Sequence, residues 1–293
     1  MTIKEKGYAH WDGEFKDSRF RWGPIARYAI KLSFRRRFFK FLFFSTLVPA
    51  LFTLTIIYIS ERLEDFAFLT NDTEAPAFLE FVQVNPAFFM RYFSEWLLFM
   101  IVLLLVFCGA GLIADDLKYN SLQLYFSRPL TKQDYFLGKA SVIVFFLALI
   151  TMVPGMVFVV MKLLFAGNLQ FLRQYPWLPF SVVAYSAFII LFFTFYTLLL
   201  SSLNKNRRYV AVLIFGLYVF TDILFGIFHG IFRNPYFALL SIRNNLKQVG
   251  SVLFGLDPQY DIPWVLSLLI LAGFCVFSAF VLNKKIRGVE VVK

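Results

Sequence analysis

Only two cysteines and two histidines occur in the 293 residues. Cys108 and Cys275 both lie inside apolar runs. That excludes a disulfide framework, and two cysteines cannot build a structural zinc site. His10 and His229 are more than 200 residues apart, so no histidine cluster is expected for metal binding or proton transfer. Charge is scarce too: 16% of the residues are charged, against about 25% in an ordinary soluble domain. No ten-residue segment alternates apolar and polar residues, which disfavours a β-barrel. There is no G-x-S-x-G. The one Gly-Lys pair, Gly138-Lys139, has Gln133 where a Walker A loop needs glycine and Ala140 where it needs Ser or Thr. ATP is therefore not bound by a P-loop in this chain, and no cofactor or metal is expected on it. A membrane-embedded protease or lipid transferase needs clustered nucleophiles, histidines or carboxylates at membrane depth. The apolar runs offer a single aspartate, so the chain does not read as an enzyme.

What is abundant is apolar. Hydrophobic residues make up 59% of the chain and aromatics 20%, with forty phenylalanines and a mean hydropathy of +0.69. Six stretches are long enough to cross a hydrocarbon core about 30 Å thick: residues 41–60, 96–114, 140–161, 178–203, 209–228 and 264–282. The fold class is an all-α integral membrane protein, with a transmembrane domain over 41–293 behind an N-terminal segment, 1–40. Forty residues before the first span are too many for a signal-peptide n-region, so that span reads as a retained helix. The basic residues sort unevenly between the segments that alternate along the chain. Twenty-two lie in 1–40, 115–139, 204–208 and the tail, and seven in the others. The positive-inside rule then places both termini in the cytoplasm. The net charge of +11 is explained by this topology without a nucleic-acid partner. The outer segment 61–94 carries six acids (Glu61, Glu64, Asp65, Asp72, Glu74, Glu80) and two bases.

Pro24 is placed to open a helix. Ile25, Tyr28, Ala29 and Leu32 then share one face, and Arg27, Lys31 and Arg35 another. This is the pattern of an amphipathic interfacial helix on an anionic leaflet. Segment 115–139 reads DDLKYNSLQLYFSRPLTKQDYFLGK. Asn120 with Gln123 has the spacing of a capping box for a short helix from Ser121 to about Ser127, stopped by Pro129. Its Leu and aromatic residues are expected to face the cytoplasm and to need a cover. Thr131 with Asp134 signals a second start, leading into span three. Asp222 is the one carboxylate well inside a span. It reads as a substrate or ion contact, an interhelical latch, or a residue reaching the outer headgroups. Glu95 at the outer mouth of span two is a second candidate. Pro49 and Pro154-Gly155 are expected to bend spans one and three. Tyr185, Ser186, Thr194, Tyr196 and Thr197 line a path or form interhelical hydrogen bonds.

Segment 115–139 resembles the cytoplasmic signature of type-2 ABC transporter (ABC-2) permeases. These have an acidic residue ending span two, then T/S-L-E/Q-L, R-P-L/V-S/T-R/K-x-D/E-Y and G-K. Here they are matched by Asp115 and Asp116, Ser121-Leu122-Gln123-Leu124, Arg128-Pro129-Leu130-Thr131-Lys132, Asp134-Tyr135 and Gly138-Lys139. Asn120-Ser121-Leu122 stands where Gly-Thr-Leu is frequent. The resemblance implies a coupling helix between spans two and three that docks on a separate ATPase subunit, which carries the ATP and Mg. Its contact residues would be Asp115, Asp116, Ser121, Leu122, Leu124, Tyr125, Phe126, Arg128 and Pro129. It also implies a homo- or heterodimer with a second permease subunit, and short surface or re-entrant helices in 229–263. The expected function is export of a hydrophobic or amphipathic substrate by alternating access, from a bacterial cytoplasmic (inner) membrane. The alternatives are a non-transporting mechanotransmission subunit and an ion-coupled secondary transporter.

Overall fold

The computed structural model describes residues 22–62, 82–126 and 130–285. Every regular element among them is helical. Helix α1 (Gly23–Arg35) has Pro24 in its first turn, where a missing N–H costs nothing. At Arg36 the backbone extends (φ −83°, ψ 119°) and turns the chain into α2, Arg37–Glu61. Six helical runs are long and apolar enough to cross a membrane: Arg37–Glu61, Pro86–Lys118, Lys132–Ala166, Leu178–Leu203, Arg207–Phe232 and Trp264–Lys285.

Span two is not one helix. It is built from α3 (Pro86–Tyr92), α4 (Glu95–Cys108) and α5 (Gly111–Lys118). Asn85 caps α3 by accepting from the Phe88 N–H at 2.9 Å. The break between α4 and α5 falls at Gly109–Ala110, where the sequence pattern reads as continuous helix. A Cβ on Gly109 would stand 2.3 Å from Thr197 Cγ2, so the span-four helix α10 (Leu178–Leu203) crosses against bare backbone here. From that helix Ser201 donates to the Ala110 carbonyl at 2.9 Å. It also accepts from the N–H groups of Ile113 and Ala114 at 3.0 and 3.1 Å. One hydroxyl thus satisfies three backbone groups at the interruption.

After the short α6 (Ser121–Phe126), span three divides at Thr151 into α7 (Lys132–Ile150) and α8 (Met152–Ala166). Pro154 is the cause, since it has no N–H for the Ile150 carbonyl. Tyr92 donates its hydroxyl to that carbonyl at 2.7 Å. Pro49, by contrast, sits inside an unbroken α2. The chain continues through α9 (Gln170–Gln174), α10 and the span-five helix α11 (Arg207–Phe232). A 3-10 turn (Pro235–Leu240), α12 (Ile242–Leu253) and the span-six helix α13 (Trp264–Lys285) follow.

Helix α10 is the hub, packing on α5, α7, α8, α11, α12 and α13. Two of its tyrosines tie it to neighbours. Tyr196 donates to the Ile214 carbonyl on α11 at 2.7 Å, and Tyr185 to the Leu246 carbonyl on α12 at 3.1 Å. Helices α2, α11 and α13 are peripheral and leave Phe41, Phe44, Val212, Ile231, Val276 and Phe280 exposed, as lipid-facing helices do.

Helix α1 lies against the start of α7. A Cβ on Gly138 would be 3.0 Å from Ile25 Cβ, so glycine lets the two helices approach closely here. Phe34 meets Phe39, Phe43 and Phe146 with ring centroids 5.8, 5.6 and 5.4 Å away. The contact side of α1 is rotated from the one its spacing marks. Ala26 is buried, and Ala29, Ile30 and Phe34 pack on the core, while Tyr28 and Leu32 stay exposed. Docking on α7 selects the side nearer Ile30 and Phe34.

Candidate functional site

The chemistry gathers at the two ends of the bundle. The basic end joins α5, α6 and α7. Asn120 has φ +53°, the left-handed conformation that closes the preceding helix, so it is not the extended N-cap its spacing announces. Thr131 and Asp134 do form the capping box of α7: Thr131 accepts from the Asp134 N–H at 3.1 Å, and Asp134 accepts from the Thr131 N–H at 3.0 Å. On α6, Ser121, Leu122 and Tyr125 are half-buried. Leu122 and Tyr125 pack against the core, where the sequence pattern presents them outward. Arg128 and Pro129 lie outside the described residues, as do the side chains of Gln123, Leu124 and Phe126.

Tyr125 turns inward because a charge lies there. Lys139 Nζ is 2.6 Å from Asp116 Oδ2, with both side chains largely buried. Tyr135 donates its hydroxyl to the same oxygen at 2.6 Å. The ammonium also sits 5.6 Å from the Tyr125 ring centroid and 5.5 Å from that of Tyr135. Burial first, then the Asp116 charge and the Tyr28 phenol, push the Tyr125 phenol above its ordinary pKa, so it stays protonated at neutral pH. An ion pair this deep has given up its water, and removing one partner strands the other charge. Tyr135 and Lys139 carry no role in the sequence reading beyond their place in a motif. Their i, i+4 spacing on α7, which puts both on one face, is the signal that marks them.

The paired carboxylates diverge. Asp116 is the buried partner of Lys139, whereas Asp115 is half-exposed and lies over Gly111, where an added Cβ would come 2.4 Å from its Oδ2. Arg27, Lys31 and Arg35 are all exposed on α1.

At the opposite end, Glu95 and Asp222 are brought together by α12. Glu95 lies 3.1 Å from Lys247 Nζ and 3.7 Å from Arg243 Nη1. Arg243 Nε is 3.1 Å from Asp222 Oδ2. Ser241 donates a short hydrogen bond to Asp222 Oδ1 while capping α12 by accepting from the Asn244 N–H at 3.1 Å. One four-charge chain therefore links α4, α11 and α12. Tyr260 borders it. Burial raises its phenol pKa and the Arg243 charge opposes that rise. Helix α12 buries Leu246 and Val249. The same helix also buries Asn244, Asn245 and Gln248. Gln248 donates to the carbonyls of Tyr260 and Ile262 at 2.9 and 3.0 Å. A second far-end ion pair joins Glu61 on α2 to Lys162 on α8. The other acids of that segment, Glu64, Asp65, Asp72, Glu74 and Glu80, lie outside the described residues, as does His10. Among the described residues no group of histidine, cysteine and carboxylates is placed to hold a metal.

A family model described as ABC-2 family transporter protein matches residues 27–282. A comparison with curated proteins finds no match. The match spans nearly the whole helical bundle and both charge clusters. The chain belongs to the ABC-2 family: it is an integral membrane protein, the membrane component of a transporter whose relatives work with ATPase subunits and do not hydrolyse ATP themselves.

Proposed function

We propose that this ABC-2 component is the permease of an exporter for a hydrophobic or amphipathic substrate, acting by alternating access. In this reading the basic end faces the cytoplasm of a bacterial inner membrane, and α1 lies on the inner leaflet. A second permease subunit completes the path. A separate ATPase docks on α6, the coupling helix, and supplies the ATP and Mg chemistry. The observation that carries the reading is the cluster of Asp116, Tyr125, Tyr135 and Lys139. It ties α6 to the ends of two spans, which gives a push on α6 a route into the bundle. The chain of Glu95, Lys247, Arg243 and Asp222 supports the far end as the gate. Its pairs hold α12 over spans two and five and must part for that end to open.

The test is recovery of the detergent-solubilised protein from its native host, with ATPase activity assayed on what co-elutes. Tyr119, 69% exposed beside α6, is a suitable probe because Tyr119→Asp leaves the packed bundle untouched. The expected result is an ATPase with the wild type, little or none with the variant, and the same thermal midpoint for both. A wild type that brings no ATPase through several mild detergents would refute the coupling role.

A further inference from the structure

A cavity of about 360 Å³ lies between α1, the basic end of span two and the start of span five. Its walls include Tyr28, Arg36, Asp115, Tyr125 and Arg207. Two guanidinium groups converge there on one acceptor. Arg207 Nη2 donates to the Phe107 carbonyl at 2.7 Å, and Arg36 Nη1 reaches the same oxygen at 3.5 Å. Phe107 stands four residues before Gly111, so the break at Gly109–Ala110 is what exposes this oxygen. A neutral carbonyl thus holds two like charges within about 6 Å of each other, where they repel. Each guanidinium has five N–H donors, and the carbonyl occupies one from each.

Asp115 relieves this only in part: its charge interacts with that of Arg36 without forming an ion pair. Among the described residues neither arginine forms an ion pair, and Asp116 is committed to Lys139. Asp115 shares the cavity, beside the Arg207 stem over Gly111, but pairs with neither head group. Three cations (Arg36, Lys139, Arg207) and two carboxylates (Asp115, Asp116) line the space, leaving one positive charge in excess. Two converging guanidinium forks and one excess charge suit a phosphate monoanion.

We infer that this cavity binds the phosphodiester of an anionic phospholipid. The inference rests on the proposed placement of the basic end at a leaflet surface. That placement decides between a lipid and a free phosphate. Arg36 is the residue at which α1 gives way to span one, and Phe38, Phe41 and Phe44 just beyond it are exposed, a surface for acyl chains leading away from the head group. Such a lipid would rest on α1, α5, α6 and α11 together and so brace the coupling helix from the membrane side.

The test uses the full-length protein in detergent, with its thermal midpoint followed against phosphatidylglycerol, phosphatidylcholine or inorganic phosphate. Phosphatidylglycerol is expected to raise the midpoint most, because a ligand of the native state stabilises it by mass action. Arg36→Gln removes one of the two guanidinium charges and should weaken the phosphatidylglycerol response about tenfold. Asp115→Asn removes the competing carboxylate and should strengthen it about fivefold. Arg173→Gln, exposed on α9 and away from the cavity, should leave it unchanged. If the arginines serve only to stabilise the helix break, Arg36→Gln lowers the lipid-free midpoint without changing the preference between lipids, and the inference fails. It also fails if inorganic phosphate matches phosphatidylglycerol. None of these readings needs the ATPase, so the proposed coupling role and the lipid site can fall separately.

Discussion

Lys139 concentrates more of the chemistry than any other side chain at the basic end. It neutralises Asp116, caps two tyrosine faces and does so with almost no water. Truncating one member of such a pair leaves a buried charge alone, which costs about 3 kcal/mol or more, whereas replacing both by apolar groups is often neutral. Lys139→Met should therefore lower the unfolding free energy by about 3 kcal/mol, and Asp116→Leu with Lys139→Met should recover part of that loss, the Tyr135 hydroxyl being left without its acceptor. Denaturant titration of the wild type, the two single variants and the double variant in one detergent measures the coupling. If the double variant is as weak as the sum of the singles, Asp116 and Lys139 do not act as a pair. The sequence contains both residues within its most informative segment, yet only Asp116 is marked there. Motif spacing points at residues one by one. Which carboxylate a lysine neutralises depends on how α5 and α7 approach, and Gly138 against Ile25 sets that approach.

At the level of helices, interruptions matter more than lengths. Six spans are legible in the sequence because hydropathy is a local sum, and the Thr131–Asp134 cap and the Pro154 break are legible because their causes lie within one turn. The Gly109–Ala110 break is not, for its cause is Ser201, on a helix far along the chain. The Gly109-Ala110-Gly111 triplet was the available trace. The far-end charge chain is hidden in the same way: Glu95 and Asp222 look like isolated candidates until α12 supplies Arg243 and Lys247 between them. Ser201→Ala should leave two buried N–H groups and a carbonyl without their partner, at a cost of about 2 kcal/mol. Hydrogen exchange should then quicken at Ile113 and Ala114 ahead of the rest of α5. Unchanged protection at those two amides would mean the break holds itself open without Ser201.

For the whole molecule, the proposed orientation makes opposite demands on its two ends. Single cysteines at Lys205 and Asn234, in a background with Cys108 and Cys275 replaced by alanine, should react with membrane-impermeant maleimides from opposite sides of sealed vesicles. Lys205 should label from the cytoplasmic side. The reverse pattern would invert the topology and move α6 away from any cytoplasmic ATPase. Under the proposed orientation, the docking of α1 on α7 also sets an order of assembly. Helix α1 leaves the ribosome about 100 residues ahead of Gly138, which at 5–20 residues per second is a delay of about 5–20 seconds. Through that interval the side of α1 that meets α7 has no partner. A helix basic on one side and apolar on the other can wait at the bilayer surface, whereas a wholly apolar one would insert as an unwanted extra span. The amphipathic sequence of α1 is then as much a requirement of how the protein is made as of how the finished protein works.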